Sequence, residues 1–466
     1  MTPEVSVVAR FLLEIVSWIW GLPLIILLMG TGLFLTVRLG GLQFRHFGHA
    51  MGLVFGRDEE SQEEGDISHF QSLMTALAAT VGTGNIVGVA TAIYYGGPGA
   101  LFWMWVTGLV GMASKYTEAL LAVRFRVRDT DGTMSGGPMY YLARGLPEIF
   151  PNIKGIKKLG RVLGIAFALF AVFASFGIGN MTQANSVAEA LLTTFEIPTW
   201  QTAIVLATLT ALVILGGIRV VGRATEVLVP FMIVFYMGGA LIILFLFRSE
   251  IPGAFELIFE RAFSNQAVAG GLAGEGLRQA IQWGVKRGLF SNESGLGSAA
   301  IAAAAARTRH PVRQALISMT QTFIDTLVVC SCTGLVIIVT NSHELDLEGI
   351  AMTLSAFERG IGQFGPFIVT AGQILFAYST VLGWSYYGEK SLTYLVGVRF
   401  QLPYRAVFIV LVAVGSIAKI EEVWAFADIA NGLMAVPNLI ALLLLSGVAA
   451  RISRAYFRDR AALKSR

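Results

Sequence analysis

The hydrophobic positions of this chain gather in long unbroken runs, with no alternation of period two and few amphipathic stripes. Apolar runs occupy roughly residues 13–37, 70–95, 99–123, 163–192, 200–216, 224–247, 274–306, 312–340, 364–395, 404–418 and 422–449. Each is about 17 residues or more, or nearly so, close to the length a helix needs to cross the hydrocarbon core of a bilayer. The pattern predicts an all-α membrane protein with about eleven transmembrane helices. Trp18, Trp20, Trp103, Trp105, Trp200 and Trp424 fall near the ends of runs, where an interfacial belt is expected.

Two runs are interrupted at mid-membrane depth. The first contains Ala78-Ala79-Thr80-Val81-Gly82-Thr83-Gly84-Asn85, whose two glycines, beside a Thr and an Asn, are poor helix formers. The second contains Ser291-Asn292-Glu293-Ser294-Gly295-Leu296-Gly297-Ser298, followed by an alanine-rich half. Unpaired backbone groups in lipid cost several kcal/mol each, so a broken helix survives only where protein or a wet cavity receives them. The exposed half-helix ends suit a small charged solute and its coupling ion. The alternative is that these small residues merely let helices pack closely. If 1–37 is an extra N-terminal helix and 38–69 a cytoplasmic connection, ten helices remain. They divide into a first five-helix repeat (70–250) and a second (251–450), leaving a basic tail (451–466). Each repeat then opens on a broken helix, and five spans invert the second half relative to the first, an arrangement that points to a transporter site.

Composition agrees with this reading. Of 466 residues, 55% are hydrophobic and 14% charged, against about 25% charged in a soluble domain. The net charge of +4 resides in alternate loops. Arg451, Arg454, Arg458, Arg460, Lys464 and Arg466 follow the last run. Lys390, Arg399 and Arg405 mark an earlier loop, as do Arg307, Arg309 and Arg313, then Arg219 and Arg223. A long connection carries Arg124, Arg126, Arg128, Arg144, Lys154, Lys157, Lys158 and Arg161, and the first loop has Arg38, Arg45 and Arg57. The intervening loops are short or acidic. By the positive-inside rule the C-terminus is cytoplasmic and the N-terminus outside, in the plasma (inner) membrane. No basic, aromatic-interleaved patch suggests nucleic acid. Cys330 and Cys332 form no disulfide framework, and no Cys/His cluster has metal-ligand spacing. Met1 to Arg10 lacks the basic start of a signal peptide. Neither a phosphate-binding Gly-x-x-x-x-Gly-Lys loop nor a sequence-local nucleophile constellation favours a pump or an enzyme. A channel would call for repeated pore-lining rings, which are absent.

Gly96-Gly97-Pro98-Gly99-Ala100-Leu101-Phe102-Trp103-Met104-Trp105-Val106-Thr107-Gly108-Leu109-Val110-Gly111 resembles the signature of the alanine or glycine:cation symporter family. Gly136-Gly137-Pro138-Met139-Tyr140-Tyr141 and Asn292-Glu293-Ser294-Gly295-Leu296-Gly297 are similar to that family too. The resemblance spans about residues 10 to 450. It implies sodium-coupled uptake of small neutral amino acids on the LeuT-type five-plus-five inverted repeat, with no cofactor beyond the coupling ion.

A zwitterion needs N–H donors for its carboxylate and oxygens for its ammonium. The resemblance implies that the amides of Thr83 and Gly84 receive the carboxylate, and that carbonyls around Ser294 and Gly295 receive the ammonium. Ser379 and Thr380 look like the hydroxyl pair that ligates sodium in this fold, completed by carbonyls of Ala78 and Val81. Back-bonding within their own helix is the competing fate of such hydroxyls. A second cation site using Thr80 and Asn85 exists in some members of the fold. Gln183 could contact substrate, while Asn180 and Asn185 could equally join helices. Trp384 could wall a small side-chain pocket. Asp325, deep in its helix, is functional by default: it could neutralise a cation, carry a proton, or pair with a neighbouring helix. Glu293 could fix the unwound segment. Proton coupling remains an alternative to sodium.

Overall fold

The computed structural model describes residues 7–56, 63–264, 276–418 and 421–464. Arg57, Arg466 and the side chain of Trp424 lie outside what is described. The first apolar run is two helices, α1 (Val7–Ile19) and α2 (Leu22–Arg38), with Pro23 in the opening turn of α2, where a missing N–H is tolerated. The first broken helix is α3 (His69–Thr80) and α4 (Gly84–Gly96), bent by 54°. Next come α5 (Ala100–Arg124), α6 (Ile156–Phe195), α7 (Thr199–Ile214) and α8 (Gly217–Leu246). The second broken helix is α9 (Gly276–Asn292) and α10 (Ala299–Ala304). It is followed by α11 (Pro311–Val339), α12 (Phe364–Val396), α13 (Gln401–Ile417) and α14 (Glu421–Lys464).

Among the described residues seven helices are long and apolar enough to cross a membrane, and the bent pair makes an eighth. Length and apolarity alone therefore do not reach eleven. The 16-residue α7 is short, α5 carries Lys115 and Glu118 in its second half, and α9–α10 is interrupted and polar.

Four features depart from the expected pattern. Helix α14 continues to Lys464, so residues 451–464 are not a loose tail. The extension docks because Phe457 stacks on His46 at 3.7 Å between ring centroids, while Tyr456 meets the rings of His49 and His310 at 6.4 and 4.8 Å. Short helices Phe47–Val54, Ile251–Ala262 and Ile350–Ile361 interrupt the connections. A minimal antiparallel hairpin pairs Val127–Arg128 with Met134–Ser135. Finally, only part of the tryptophan set faces outward. Trp18 and Trp200 are exposed, but the indole N–H groups of Trp20, Trp103 and Trp105 donate to Asp428 O, Ala262 O and Ser331 Oγ at 3.0, 3.0 and 2.8 Å.

The two broken helices lie side by side. Halves α4 and α9 pack together, as do α3 and α10, and α5 packs along α9 and α11. At the ends of α3 and α10 remote from the breaks, backbone is joined to backbone. Asp66 N donates to Ala305 O and Arg307 N to Ile67 O, both at 2.8 Å. The Arg126 guanidinium donates to the carbonyls of Ala304, Ala306 and Glu64 at 2.7–3.1 Å. These contacts seal that end of the pair.

Candidate functional site

Helix α3 begins with a capping box. Ser68 Oγ accepts from Gln71 N, and the Gln71 side chain accepts from Ser68 N, satisfying two amides that a helix start leaves free. The helix stops at Thr80 because Val81 turns extended (φ −74°, ψ 93°). Asn85 braces the break. Its Oδ1 accepts from Gly82 N at 2.9 Å, and its Nδ2 donates to Asp325 Oδ1 at 2.8 Å. Asp325 Oδ2 also accepts from Thr326 Oγ1 at 2.8 Å and from Ser291 Oγ at 2.9 Å. One acid on α11 thus ties the two breaks together, which is the helix-pairing option for this residue. Thr80 is not joined to it: its Oγ1 donates to Ala76 O at 3.1 Å and accepts from Gln321 Nε2 at 3.0 Å.

The second break is a run of left-handed residues: Glu293, Gly295 and Gly297 have φ of 54°, 89° and 84°. Glycine takes that conformation freely, whereas for Glu293 it costs on the order of 1 kcal/mol or more. The carboxylate is locked where it stands. Its Oε1 accepts from Trp384 Nε1 at 3.0 Å and its Oε2 from Ser298 Oγ at 2.5 Å.

A cavity lies between the breaks, lined by Ala79, Thr80, Gly82, Thr83, Gly84, Ile178, Gln183, Phe290, Glu293, Thr380 and Trp384. Its water-accessible space is only ≈ 20 Å³, about the room of one water. Of the residues singled out in the sequence, Thr80, Thr83, Gly84, Gln183, Glu293, Thr380 and Trp384 converge here. Asn85, Ser294 and Gly295 do not. Gly295 O is already taken by Asn438 Nδ2 at 2.8 Å, and the Ser294 hydroxyl pairs with Thr322 Oγ1 at 3.0 Å. The second-break residue that lines the cavity is Glu293, whose side chain is an acceptor, rather than Ser294 or Gly295. Phe290 and Ile178 were not anticipated. Glu293 carried a readable signal, an acid inside an apolar run. Gln183 Nε2 donates to Ile178 O at 3.0 Å, while its Oε1 has no partner among the described residues. Asn180 and Asn185 instead join α6 to the carbonyls of Phe408 and Ala418 at 2.8 and 3.2 Å.

Beneath the cavity Ser379 Oγ lies 3.1 Å from Ala78 O and 3.4 Å from Val81 O, besides back-bonding to Phe376 O at 2.8 Å. Thr380 Oγ1 packs so closely on Gly82 that a Cβ built there would come within 2.6 Å of it. The donor set is neutral oxygen throughout, which fits a hard monovalent cation. A wider groove lined by Ala207, Thr208, Ala211, Leu212, Leu215 and Ile409 faces outward, and the Thr208 hydroxyl is bonded within its own helix to Ile204 O.

The profile of the sodium:alanine symporter family matches residues 5–466. The chain is 52% identical over 444 residues to the sodium/alanine symporter AgcS of Methanococcus maripaludis, covering 94% of this chain and 95% of that protein. It is 51% identical to an uncharacterized transporter of Haemophilus influenzae, covering 95% and 94%. Its fold is similar to that in the crystal structure of MhsT in complex with L-phenylalanine, with a TM-score of 0.55 at 12% identity over 86% of this chain and 99% of that one.

Proposed function

We propose that this chain, which belongs to the sodium:alanine symporter family, imports alanine or glycine together with sodium by alternating access. The observation that carries the reading is one cavity lined by both breaks: the start of α4 and the unpartnered Gln183 Oε1 beside Gly82 at the first, and Glu293 at the second. A helix start attracts a carboxylate through its free N–H groups and positive dipole end, so Thr83 and Gly84 hold that end of the zwitterion. Glu293 and Gln183 hold the ammonium. The side chain points at Trp384, Phe290 and Ile178. Sodium sits among Ala78 O, Val81 O, Ser379 Oγ and Thr380 Oγ1, so the ion braces the first break and the break orients the substrate. Asp325 accepts from donors on both breaks, as a carboxylate does, which favours sodium over a proton carried at this residue. The basic loops support a cytoplasmic C-terminus in the inner membrane.

The direct test is uptake of labelled alanine and glycine into proteoliposomes under an inward sodium gradient or a proton gradient. Sodium-dependent uptake is expected. Uptake driven equally by protons without sodium would overturn the coupling assignment, and no uptake by folded protein would overturn the substrate.

Trp384 limits substrate size. Gly179 packs directly against its ring, leaving no room for retreat. In Trp384→Ala, larger neutral amino acids such as leucine should become competitive inhibitors of labelled alanine uptake, while alanine KM rises about tenfold through loss of packing and of the indole bond to Glu293. An unchanged inhibitor profile would remove Trp384 from the pocket wall.

Opening toward the cytoplasm must break a latch. Lys390 Nζ on α12 donates to Asp129 Oδ2 at 3.2 Å and Thr133 Oγ1 at 2.7 Å of the hairpin, and Met134 N donates to Asp66 Oδ2 at 2.8 Å. Lys390→Gln should speed maleimide labelling of a cysteine placed at the buried Ser72, in a background lacking Cys330 and Cys332, several-fold. Equal labelling rates would dismiss the latch.

A further inference from the structure

We propose that Asn438 is a positioning residue for the substrate site, holding the second break in the shape that keeps Glu293 in the cavity wall; this rests on the reading of that cavity given above. Asn438 follows Pro437 inside α14 and is fully buried. Its Nδ2 donates to Gly295 O and to Glu118 Oε1, both at 2.8 Å. Its Oδ1 accepts from the Tyr141 hydroxyl. Both amide hydrogens are thus used, and only this orientation of the amide suits two acceptors on one side and a donor on the other.

Gly295 O is one edge of a peptide plane whose other edge is Leu296 N, and Leu296 N donates to Glu293 O at 3.2 Å. The plane is rigid, so Asn438 and the Glu293 backbone grip opposite edges of one unit. The next plane is held as well. Gly297 N donates to Glu118 Oε1 at 3.1 Å, and Glu118 Oε2 stands 4.0 Å from Lys115 Nζ. Behind the break lies the segment 136–141. A Cβ on Gly297 would come within 2.5 Å of Pro138 Cγ and 2.9 Å of Asn438 Cγ, and one on Gly137 within 2.9 Å of Ile301 Cγ1 on α10. This motif therefore backs the second break, and its Tyr141 orients Asn438.

Without the Asn438 amide, the Gly295 carbonyl and Glu118 each lose a donor at a buried position, which is costly. Glycine turns freely, so the Gly295–Leu296 plane rotates toward another donor. Leu296 N then leaves Glu293 O, and Glu293 shifts in the cavity wall. The oxygens of Ala78, Val81, Ser379 and Thr380 share no hydrogen bond with this set among the described residues. The loss therefore falls on alanine and spares sodium.

The test is calorimetric titration with alanine in saturating sodium, beside sodium-induced thermal stabilisation measured without alanine, in Asn438→Ala, Glu293→Gln and the double variant. Asn438→Ala is expected to weaken alanine binding about tenfold, the scale of one lost hydrogen bond, with sodium stabilisation retained. Because Asn438 acts through Glu293, the double variant should bind alanine no more weakly than Glu293→Gln alone. Losses that multiply in the double variant would overturn the proposal. So would disappearance of sodium stabilisation in Asn438→Ala, which marks a general loss of structure. If Glu293→Gln weakens binding but Asn438→Ala lowers only the unfolding temperature, Asn438 serves stability and this proposal alone falls. If Glu293→Gln binds alanine normally, the reading of Glu293 falls and takes this proposal with it. Where Asn438→Ala does not insert, Tyr141→Phe, which removes only the hydroxyl behind Asn438, should weaken alanine binding about threefold in the same cycle.

Discussion

Replacing Ser379 and Thr380 together by alanine should cut sodium-driven alanine uptake by roughly 100-fold or more. A hydrogen-bond-strength contact to a charged group contributes about 1.5–3 kcal/mol, and this change removes two hydroxyl oxygens from an ion that otherwise sees only the carbonyls of Ala78 and Val81. The alternative fate is visible in the same structure: both hydroxyls also reach Phe376 O, at 2.8 and 3.0 Å. If that back-bonding is their whole role, alanine changes little. Two measurements decide. The sodium concentration for half-maximal uptake should rise steeply, and sodium should lose its ability to raise the thermal unfolding temperature of the purified protein, since an ion that no longer binds the native state no longer stabilises it. Retention of both responses would move the ion elsewhere.

The second large effect is expected at Glu293. Removing one partner of a buried ion pair costs about 3–5 kcal/mol, so Glu293→Gln should raise alanine KM by roughly two to nearly four orders of magnitude. Glutamine keeps an oxygen for Trp384 and can still meet Ser298, so the loss should appear in substrate binding with sodium-induced stabilisation largely retained. Calorimetric titration with alanine separates the two. Normal affinity in the variant would return the ammonium to backbone carbonyls, the arrangement first expected for Ser294 and Gly295.

The sequence makes the breaks legible because they violate a strong rule. Glycines, hydroxyls and an acid inside apolar runs have no reason to be there unless protein receives their polar groups. The same rule brings out Asp325 and the Ser379–Thr380 pair. What each polar group faces is not legible. Gly295 and Glu293 are two residues apart in one break, yet the first turns its carbonyl to Asn438 on α14 and the second turns its carboxylate into the cavity. That division depends on left-handed backbone at both positions and on a partner about 140 residues downstream. What Asn85 faces is hidden for a similar reason: its side chain is engaged by Gly82 and Asp325, and its neighbours line the cavity. Helix ends are not legible where apolar count and helix length part company, as in α14, whose charged last turns still dock through Tyr456 and Phe457.

The tie between Asn85 and Asp325 joins residues 240 positions apart. During synthesis the first break therefore enters the bilayer long before its acidic partner exists. At the usual 5–20 residues per second, the interval is roughly 10 to 50 s. Through that time the Asn85 amide and the bent backbone beside it must be sheltered by something other than their final partners. The transport site is thus among the last parts of this molecule to become whole, and the half-made protein is the form in which its polar centre is most at risk.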